Sequence, residues 1–555
     1  MRCLQLKDLK RIHLSGLIFT FILLLFPFQT TYSSTFVVND NRDIPDAKPG
    51  DGVCKTEYGT CTLRAAVHET NLLTGPNTIN IPAITIVLDG ELRIADHSGD
   101  DSLHIVGAGM DKTIIDGNNK TRVFYFAARS GSHSLSDLTI CNAKNQHPKT
   151  AIQERNGGGV FNEATLNMTN VKVTSSMAFQ GGGVFNQHDF GSSNVPTLTL
   201  KNVILDNNKA TSYEFGFGGG GLFNGSVLKG TDVKITDNIA NQQGGGYYNN
   251  SFKKAELTNF EISRNTSMQA GGIDNDIGKV YLTNGKIIAN KTTCCIPGYL
   301  GTGGAGIFNN DGNMIIKNVD ISHNVSDSPG GFGGGIYNFK FMTLENVSVT
   351  NNQAAYGAGI DNGWYSPGYE NNLTLINVTI SGNVGPTSQQ LDTEGAGIHN
   401  RNYGTVNINN STITNNSAEC AGGITNRNAQ DSIFVQNTIL AENRDDFGAD
   451  DCRGVITSNG HNIIGNPTGS SSFTCTVRNM AASDLVHEAP RIASLQGEVA
   501  YHPLLVGSPA IESGTTANCP STDIRGFPRP AGDTCDIGAY EADPSPPIYL
   551  PNIIK

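Results

Sequence analysis

Six residues, Gly157-Gly158-Gly159-Val160-Phe161-Asn162, return nine more times along the chain and constrain its fold more than any other feature. The later copies are GGGVFN ending at Asn186, GGGLFN at Asn224, GGGYYN at Asn249, GGIDN at Asn275 and GAGIFN at Asn309. GGGIYN at Asn338, GAGIDN at Asn362, GAGIHN at Asn400 and AGGITN at Asn426 complete the series. Successive terminal Asn residues lie 24 to 38 residues apart. A unit of that length cannot bury an apolar face alone and must stack on its neighbours.

Each repeat carries a second arm, Leu-x-Asn-Val-x-Ile-x-x-Asn, clearest in Leu375-Ile376-Asn377-Val378-Thr379-Ile380-Ser381-Gly382-Asn383. Aliphatic and polar residues alternate with period two, which marks strands. An Asn or Asp is followed six positions later by Asn in copy after copy, as at Asn202 and Asn208, Asp232 and Asn238, and Asn318 and Asn324. Gly supplies backbone with φ > 0 and Asn tolerates it, so these residues mark the corners. The chain therefore reads as all-β: a right-handed single-stranded parallel β-helix. Coils stacked about 4.8 Å apart turn each repeat position into a ladder. An Asn ladder satisfies buried corner groups by bonding one coil to the next. Val160 and its equivalents up to Ile424 are apolar throughout, which points them inward and the Phe161 series outward.

Residues 1–33 read as a signal peptide, with Arg2, Lys7, Lys10 and Arg11 ahead of the apolar run 17–28. No later run approaches the length of a membrane span, so none is expected in the mature chain. The net charge of −12 becomes more acidic still when that segment leaves, which argues against nucleic acid as a partner. Of the eleven cysteines, Cys3 lies in the signal segment and an even number remain. Cys54 with Cys61, Cys452 with Cys475 and Cys519 with Cys535 are pairable at short range. Cys294 and Cys295 are vicinal, and Cys141 and Cys420 are left unassigned. No CxxC pair or His cluster accompanies them, so disulfides are expected and a metal site is not. Both features point to a secreted or cell-surface location.

The chain divides into the signal peptide (1–33), an N-terminal cap with irregular first coils (35–150), regular repeats (151–445), a disulfide-containing C-terminal cap (446–541) and a Pro-rich tail (542–555). Thr62 is expected to cap a helix over 63–70, with Leu63, Ala66, Val67 and Leu73 covering the open end of the β-helix. The acidic stretch Asp445-Asp446-Phe447-Gly448-Ala449-Asp450-Asp451 is either a Ca²⁺ site or a solvated loop tied by the nearby disulfide. Its spacing fits no EF-hand.

Cys61-Thr62-Leu63-Arg64-Ala65-Ala66 resembles the CSLREA-type N-terminal module of exported bacterial β-helix proteins, with Thr62 in place of Ser and Ala65 in place of Glu. Gly507-Ser508-Pro509-Ala510-Ile511, then 523–530 (DIRGFPRP) and 535–541 (CDIGAYE), resemble the choice-of-anchor Q family of the pectin-lyase-like superfamily. Asp451-Cys452-Arg453-Gly454 and 458–465 fit the same pattern, while 489–501 departs from it by lacking a Gly-Gly-Pro-Thr turn. The resemblance implies the fold and export. It carries no agreed catalytic residues.

Phe161, Phe185, Phe223, Tyr248, Asp274, Phe308, Tyr337, Asp361, His399 and Thr425 occupy one position in successive coils. An outward aromatic stripe is a surface on which sugar rings stack, and Trp364 and Tyr365 hang beside it. Long insertions folded over the stripe are the competing expectation. Asp361 and His399, in adjacent coils, with Glu394 nearby, form the one acid–base constellation, a carboxylate–imidazole pair beside a second carboxylate. A pectate-type lyase would want a basic residue on the stripe, and Arg401 lies just beyond it. The first reading is thus a monomeric surface or secreted binding and adhesion scaffold for a polysaccharide or cell-surface partner. The second is a polysaccharide lyase or glycoside hydrolase at Asp361, His399 and Glu394.

Overall fold

The computed structural model describes residues 33–94, 101–128, 132–145, 155–187, 195–213, 218–293, 303–327, 330–363, 371–385, 393–428, 432–445, 451–467 and 474–543. Trp364, Tyr365, Cys294, Cys295, most of the acidic stretch, nearly all of the segment 1–33 expected to be a signal peptide and all but the start of the tail lie outside the described residues.

Each coil passes through a short strand, a long bent strand and a second short strand. In the first regular coil these are Val160–Asn162, Thr165–Thr174 and Met177–Ala178. Pairing is parallel, and each residue meets its repeat equivalent one coil on: Phe161 with Phe185, Val171 with Val203, Ala178 with Ala210. Among the described residues the strands form a 31-stranded sheet and a 7-stranded sheet. The register continues backward into the irregular coils, where Val160 pairs with Phe124 and Phe124 with Leu92. The molecule is an all-β parallel solenoid.

Val160, Leu166, Met168, Val171 and Val173 fill the lumen, within one continuous core that runs from Phe36 to Cys475. Burying each such side chain is worth about 1.5–3 kcal/mol before entropy. The glycine triplet has two separate causes. Its first member has positive φ, 58° at Gly181 and 59° at Gly244. Its second packs against the neighbouring coil so closely that a Cβ on Gly182 would sit 2.5 Å from the backbone of Lys209.

Two Asn ladders run inside the corners. Asn162, Asn186, Asn224, Asn249 and Asn275 each donate from Nδ2 to the Oδ1 of the next coil's Asn at 2.7–2.9 Å. The series closes at Asn400 and Asn426 (3.1 Å). In the second ladder Asn208 donates to Asn238 at 3.0 Å and to the Val173 carbonyl at 2.9 Å. This ladder runs through Asn443, whose amide reaches Asp451 at 2.9 Å. Asp451 takes the next rung of that ladder, and burial raises its carboxyl to a pKa of about 6.

The helix Leu63–Thr70 has Thr62 as N-cap, its hydroxyl accepting from the Ala65 amide at 3.1 Å. Leu63, Ala66 and Val67 pack on the core, with Leu73 partly buried against it. Disulfides join Cys54 to Cys61, Cys452 to Cys475 and Cys519 to Cys535. Among the described residues no helix is long and apolar enough to cross a membrane.

Beyond residue 489 the chain leaves the coil path and folds back and forth over the outside of the long strands. The Gly538 amide donates to the Asn437 carbonyl and the Ala539 amide to Thr412 Oγ1. His502 Nε2 meets Ser381 Oγ at 2.9 Å, and Glu498 reaches Lys286 at 3.6 Å. The far end of this strap is a hairpin with antiparallel bridges between Ile492 and Leu504 and between Gln496 and Tyr501.

Candidate functional site

The stripe lies outside the lumen, yet its rings are not exposed, which corrects the expectation of an outward sugar-stacking surface. Phe161, Phe185 and Tyr248 are fully buried, Phe223 is 5% exposed, and Phe308 and Tyr337 are 3% exposed. The physical cause is coil-to-coil stacking. Phe161 stands 5.0 Å from Phe185, and Phe185 stands 4.4 Å from Phe223, in near-parallel planes. Tyr125, one coil earlier, extends the stack at 5.1 Å from Phe161 and donates its hydroxyl to Glu163. The Arg93 and Arg122 guanidinium groups close this end over the Tyr125 face. A second cluster joins Phe308, Tyr337 and Phe339, with Phe332 packed against it.

Between the two ring clusters sits Asp274, paired in register with Tyr248 below and Phe308 above. Its carboxyl is buried and neither oxygen has a hydrogen-bond partner. Burial, with Asp276 adding to it, raises its pKa well above the ordinary carboxylate value.

At the far end of the stripe the structure brings Asp361, His399 and Glu394 together. His399 Nδ1 is 3.2 Å from Asp361 Oδ2, and His399 Nε2 is 3.9 Å from Glu394 Oε2. Arg401 grips Asp361 through two bonds, Nε to Oδ1 at 2.6 Å and Nη2 to Oδ2 at 2.7 Å. Its guanidinium also lies 3.8 Å from the Phe332 ring centre. Glu394 accepts from Arg427 Nε at 2.7 Å and from Arg453 Nη1 at 2.8 Å. All four central residues are buried. Burial by itself would raise the Asp361 carboxyl, but Arg401 and His399 outweigh it and hold the group below the usual value. An anion fixed in a bidentate pair is a poor general acid. The His399 imidazole has one nitrogen oriented by Asp361 and the other, Nε2, without a hydrogen-bond partner.

Sequence reasoning set Arg401 just beyond the His399 strand, and it stands there, directly after Ile398–Asn400; it also saw no basic residue on the stripe, and that point needs correction. Arg401 reaches back one coil to Asp361, and Arg453 follows Thr425 in stripe register. The residue after each repeat Asn varies freely along the chain, so no periodicity announced Arg401. Phe332 and Tyr356 were also missed. They belong to a ladder of isolated bridges, Gly303–Phe332–Tyr356–Glu394–Cys420, that flanks the stripe. Tyr356 packs 5.6 Å from the His399 ring.

A third corner ladder faces outward on the long strands. Asn202, Asp232, Asn259, Asn284, Asn318, Asn346, Asn377, Asn410 and Asn437 all have φ between 45° and 56°. Where the strap lies over them, at Asn377, Asn410 and Asn437, they are buried. From Asn318 back to Asn202 they are exposed. Just past the strap's hairpin these exposed rungs line a cleft of about 720 Å³, whose wall includes Lys234, Glu261, Lys286, Glu498 and Val499. Lys234 stands 3.9 Å from Glu261 and Lys286 stands 3.6 Å from Glu498, so both lysines face carboxylates. Among the described residues, no cluster of three or more His, Cys, Asp or Glu converges to hold a metal ion.

No protein-family model and no curated protein matches the chain. Solved structures similar to it include the A-module of mannuronan C-5 epimerase AlgE4 from Azotobacter vinelandii, at 12% identity and TM-score 0.28, over 60% of this chain and 85% of that one. The AlgE6 A-module from the same organism matches at 13% identity and TM-score 0.29, over 74% of this chain and 90% of that one. ORF18 of Geobacillus virus E2 matches at 10% identity and TM-score 0.18, over 76% of this chain and 56% of that one.

Proposed function

We propose that this chain is an exported β-helix protein of the choice-of-anchor Q and CSLREA type, and that it serves as a secreted or cell-surface scaffold for binding and adhesion, with a glycan as ligand. The observation that carries this reading is the open cleft on the polar flank, about 720 Å³ in volume and walled by repeated polar rungs. Clefts of that size bury much of an oligosaccharide-sized ligand. Three disulfides support export, because such bonds persist in oxidising compartments. The ligand surface in this reading is the flank, since the aromatic stripe is sealed.

The test is to pass the chain without residues 1–33 over a polysaccharide panel, with and without Ca²⁺, scoring retention, ultraviolet-absorbing unsaturated products and new reducing ends. Retention of a glycan without product supports the scaffold. The orphan Nε2 of His399, beside Asp361 and Glu394, favours a second reading, a polysaccharide lyase or glycoside hydrolase whose buried cluster opens to substrate. New ends that vanish in His399→Ala and Asp361→Asn would replace the first reading by the second.

A further inference from the structure

The outer corner ladder is used twice, and its covered half states what its open half recognises. Under the strap, Asn377 Nδ2 donates one hydrogen to Asn346 Oδ1 at 3.0 Å and the other to the Thr522 carbonyl at 2.6 Å. Asn437 repeats the pattern, donating to Asn410 Oδ1 at 3.2 Å and to the Thr515 carbonyl at 3.0 Å. Asn377 and Asn437 thus each give one hydrogen to the ladder and one to an amide carbonyl lying on the flank, and Asn410 between them reaches the Asp536 carbonyl at 3.4 Å. The exposed rungs keep the first half of this arrangement. Asn318 donates to Asn284 at 3.0 Å, Asn259 to Asp232 at 3.3 Å and Asn202 to Asn170 at 2.9 Å. A side-chain amide has two donor hydrogens, so at each of these three cleft-lining rungs the ladder bond uses one and leaves the other.

We propose, resting on the glycan-binding reading above, that the cleft takes an uncharged linear polysaccharide of N-acetylated sugars, laid along the solenoid axis, with the second amide hydrogens of Asn202, Asn259 and Asn318 donating to its acetamido carbonyls. The acceptor is the one the covered rungs already bind, the oxygen of a secondary amide. Charge selects against a polyuronate, because the cleft wall holds Asp232, Glu261 and Glu498 against Lys234 and Lys286. Spacing selects against an extended peptide along the axis. Rungs recur about every 4.8 Å, whereas a strand advances about 3.3 Å per residue and repeats its facing about every 6.6 Å. A pyranose linked through opposite ring positions advances by close to one rung and turns over at each step, so its acetamido groups repeat their facing at every second rung, where Asn202, Asn259 and Asn318 stand. The continuity of the flank with the strap-covered face places the ligand where the strap ends.

Titration calorimetry of the chain without residues 1–33 tests this with chitin, chitosan and cellulose hexasaccharides of equal length. Chitin hexasaccharide is expected to bind about tenfold or more tightly than the cellulose and chitosan forms. The double variant Asn259→Gly and Asn318→Gly, which keeps the positive-φ corner but removes both amides, is expected to lose about tenfold. Its fold is checked by circular dichroism and an unchanged unfolding midpoint in urea, and Asn318→Asp, which still accepts from Asn346, serves if the glycines loosen the corner. Equal affinity for the three sugars, or tight binding untouched by the variants, would overturn this inference and leave the glycan scaffold standing. Retention of none of the panel's polysaccharides would sink the scaffold reading itself. Binding of a reduced, unfolded polypeptide that the double variant abolishes, with no sugar bound, would give the flank to a peptide and overturn the inference as well.

Discussion

From Tyr125 to Tyr248 the outer stripe is a stack of aromatic rings; from Asp361 to Thr425 the same register position holds a carboxylate, an imidazole and a hydroxyl. Backbone, spacing and burial are shared by the two ends. The rings are satisfied by contact alone, since every ring has a face for the next coil. The polar end requires further partners: Arg401, Glu394 and Arg427 supply them from off the stripe, and Arg453 from its next rung. A solenoid therefore tolerates either chemistry at one rung, provided the flanking ladders answer it. Asp274, caught between the two ring clusters with no such answer, shows what an unmet rung looks like.

The largest effect separating the two ends should come from removing that answer. Arg401→Ala leaves Asp361 a buried anion with only His399 beside it, and should cost about 3–5 kcal/mol in urea unfolding. Replacing the pair together, with Arg401→Met and Asp361→Leu, should recover most of that loss. A double variant as unstable as the single would mean that charge compensation is not what holds this end.

Asp274→Leu should act in the opposite direction and stabilise by about 1–3 kcal/mol, because an orphaned buried carboxyl is removed. The gain should depend on pH with a definite sign. The native carboxyl titrates above its ordinary value, so above about pH 4 the unfolded chain releases a proton that the native state still holds. Wild-type stability relative to the variant then falls as pH rises from about 4, and levels off only when the native carboxyl itself ionises. Urea midpoints for both proteins at pH 4 and pH 7 check this, and a gap that narrows toward pH 7 would contradict it.

Within the aromatic end, Phe185→Leu keeps the burial but loses two stacked neighbours, and should cost about 0.5–1.5 kcal/mol by the same measurement. The smallest change should be His399→Phe. One hydrogen bond to Asp361 is lost while a ring is gained against Tyr356, and the net effect should stay within about 1 kcal/mol. A loss several times larger would mark the imidazole as integral to the ion network.

The coils, their inward aliphatics and the corner Asn residues were legible in the chain because a solenoid writes each contact once per repeat. Val160 meets Val184 for the same reason that Val184 meets Leu222. Period-two alternation separates Phe161 from the lumen, and that too was readable. Whether Phe161 meets water was not. Its burial depends on rings one coil away and, farther along the stripe, on Phe332 and Tyr356, which stand in a ladder with no shared residue type. Arg401 escaped notice for the same reason: its partner is a coil away and its own position is unpatterned. The pairing of Asp361 with His399 could be read from register alone, but the grip of Arg401 that holds the carboxylate ionised could not.

By itself the sequence determined the parallel solenoid, the stacking register, the capped helix at its start and the short-range disulfide pairs, because each follows from local periodicity or short separation. Only the tertiary structure decided which ladder residues are covered. The strap that buries Asn377 and Asn437 comes from more than a hundred residues beyond the first of them. It stops short of Asn318, Asn284, Asn259 and Asn202, and no local pattern in those corners distinguishes the buried rungs from the open ones.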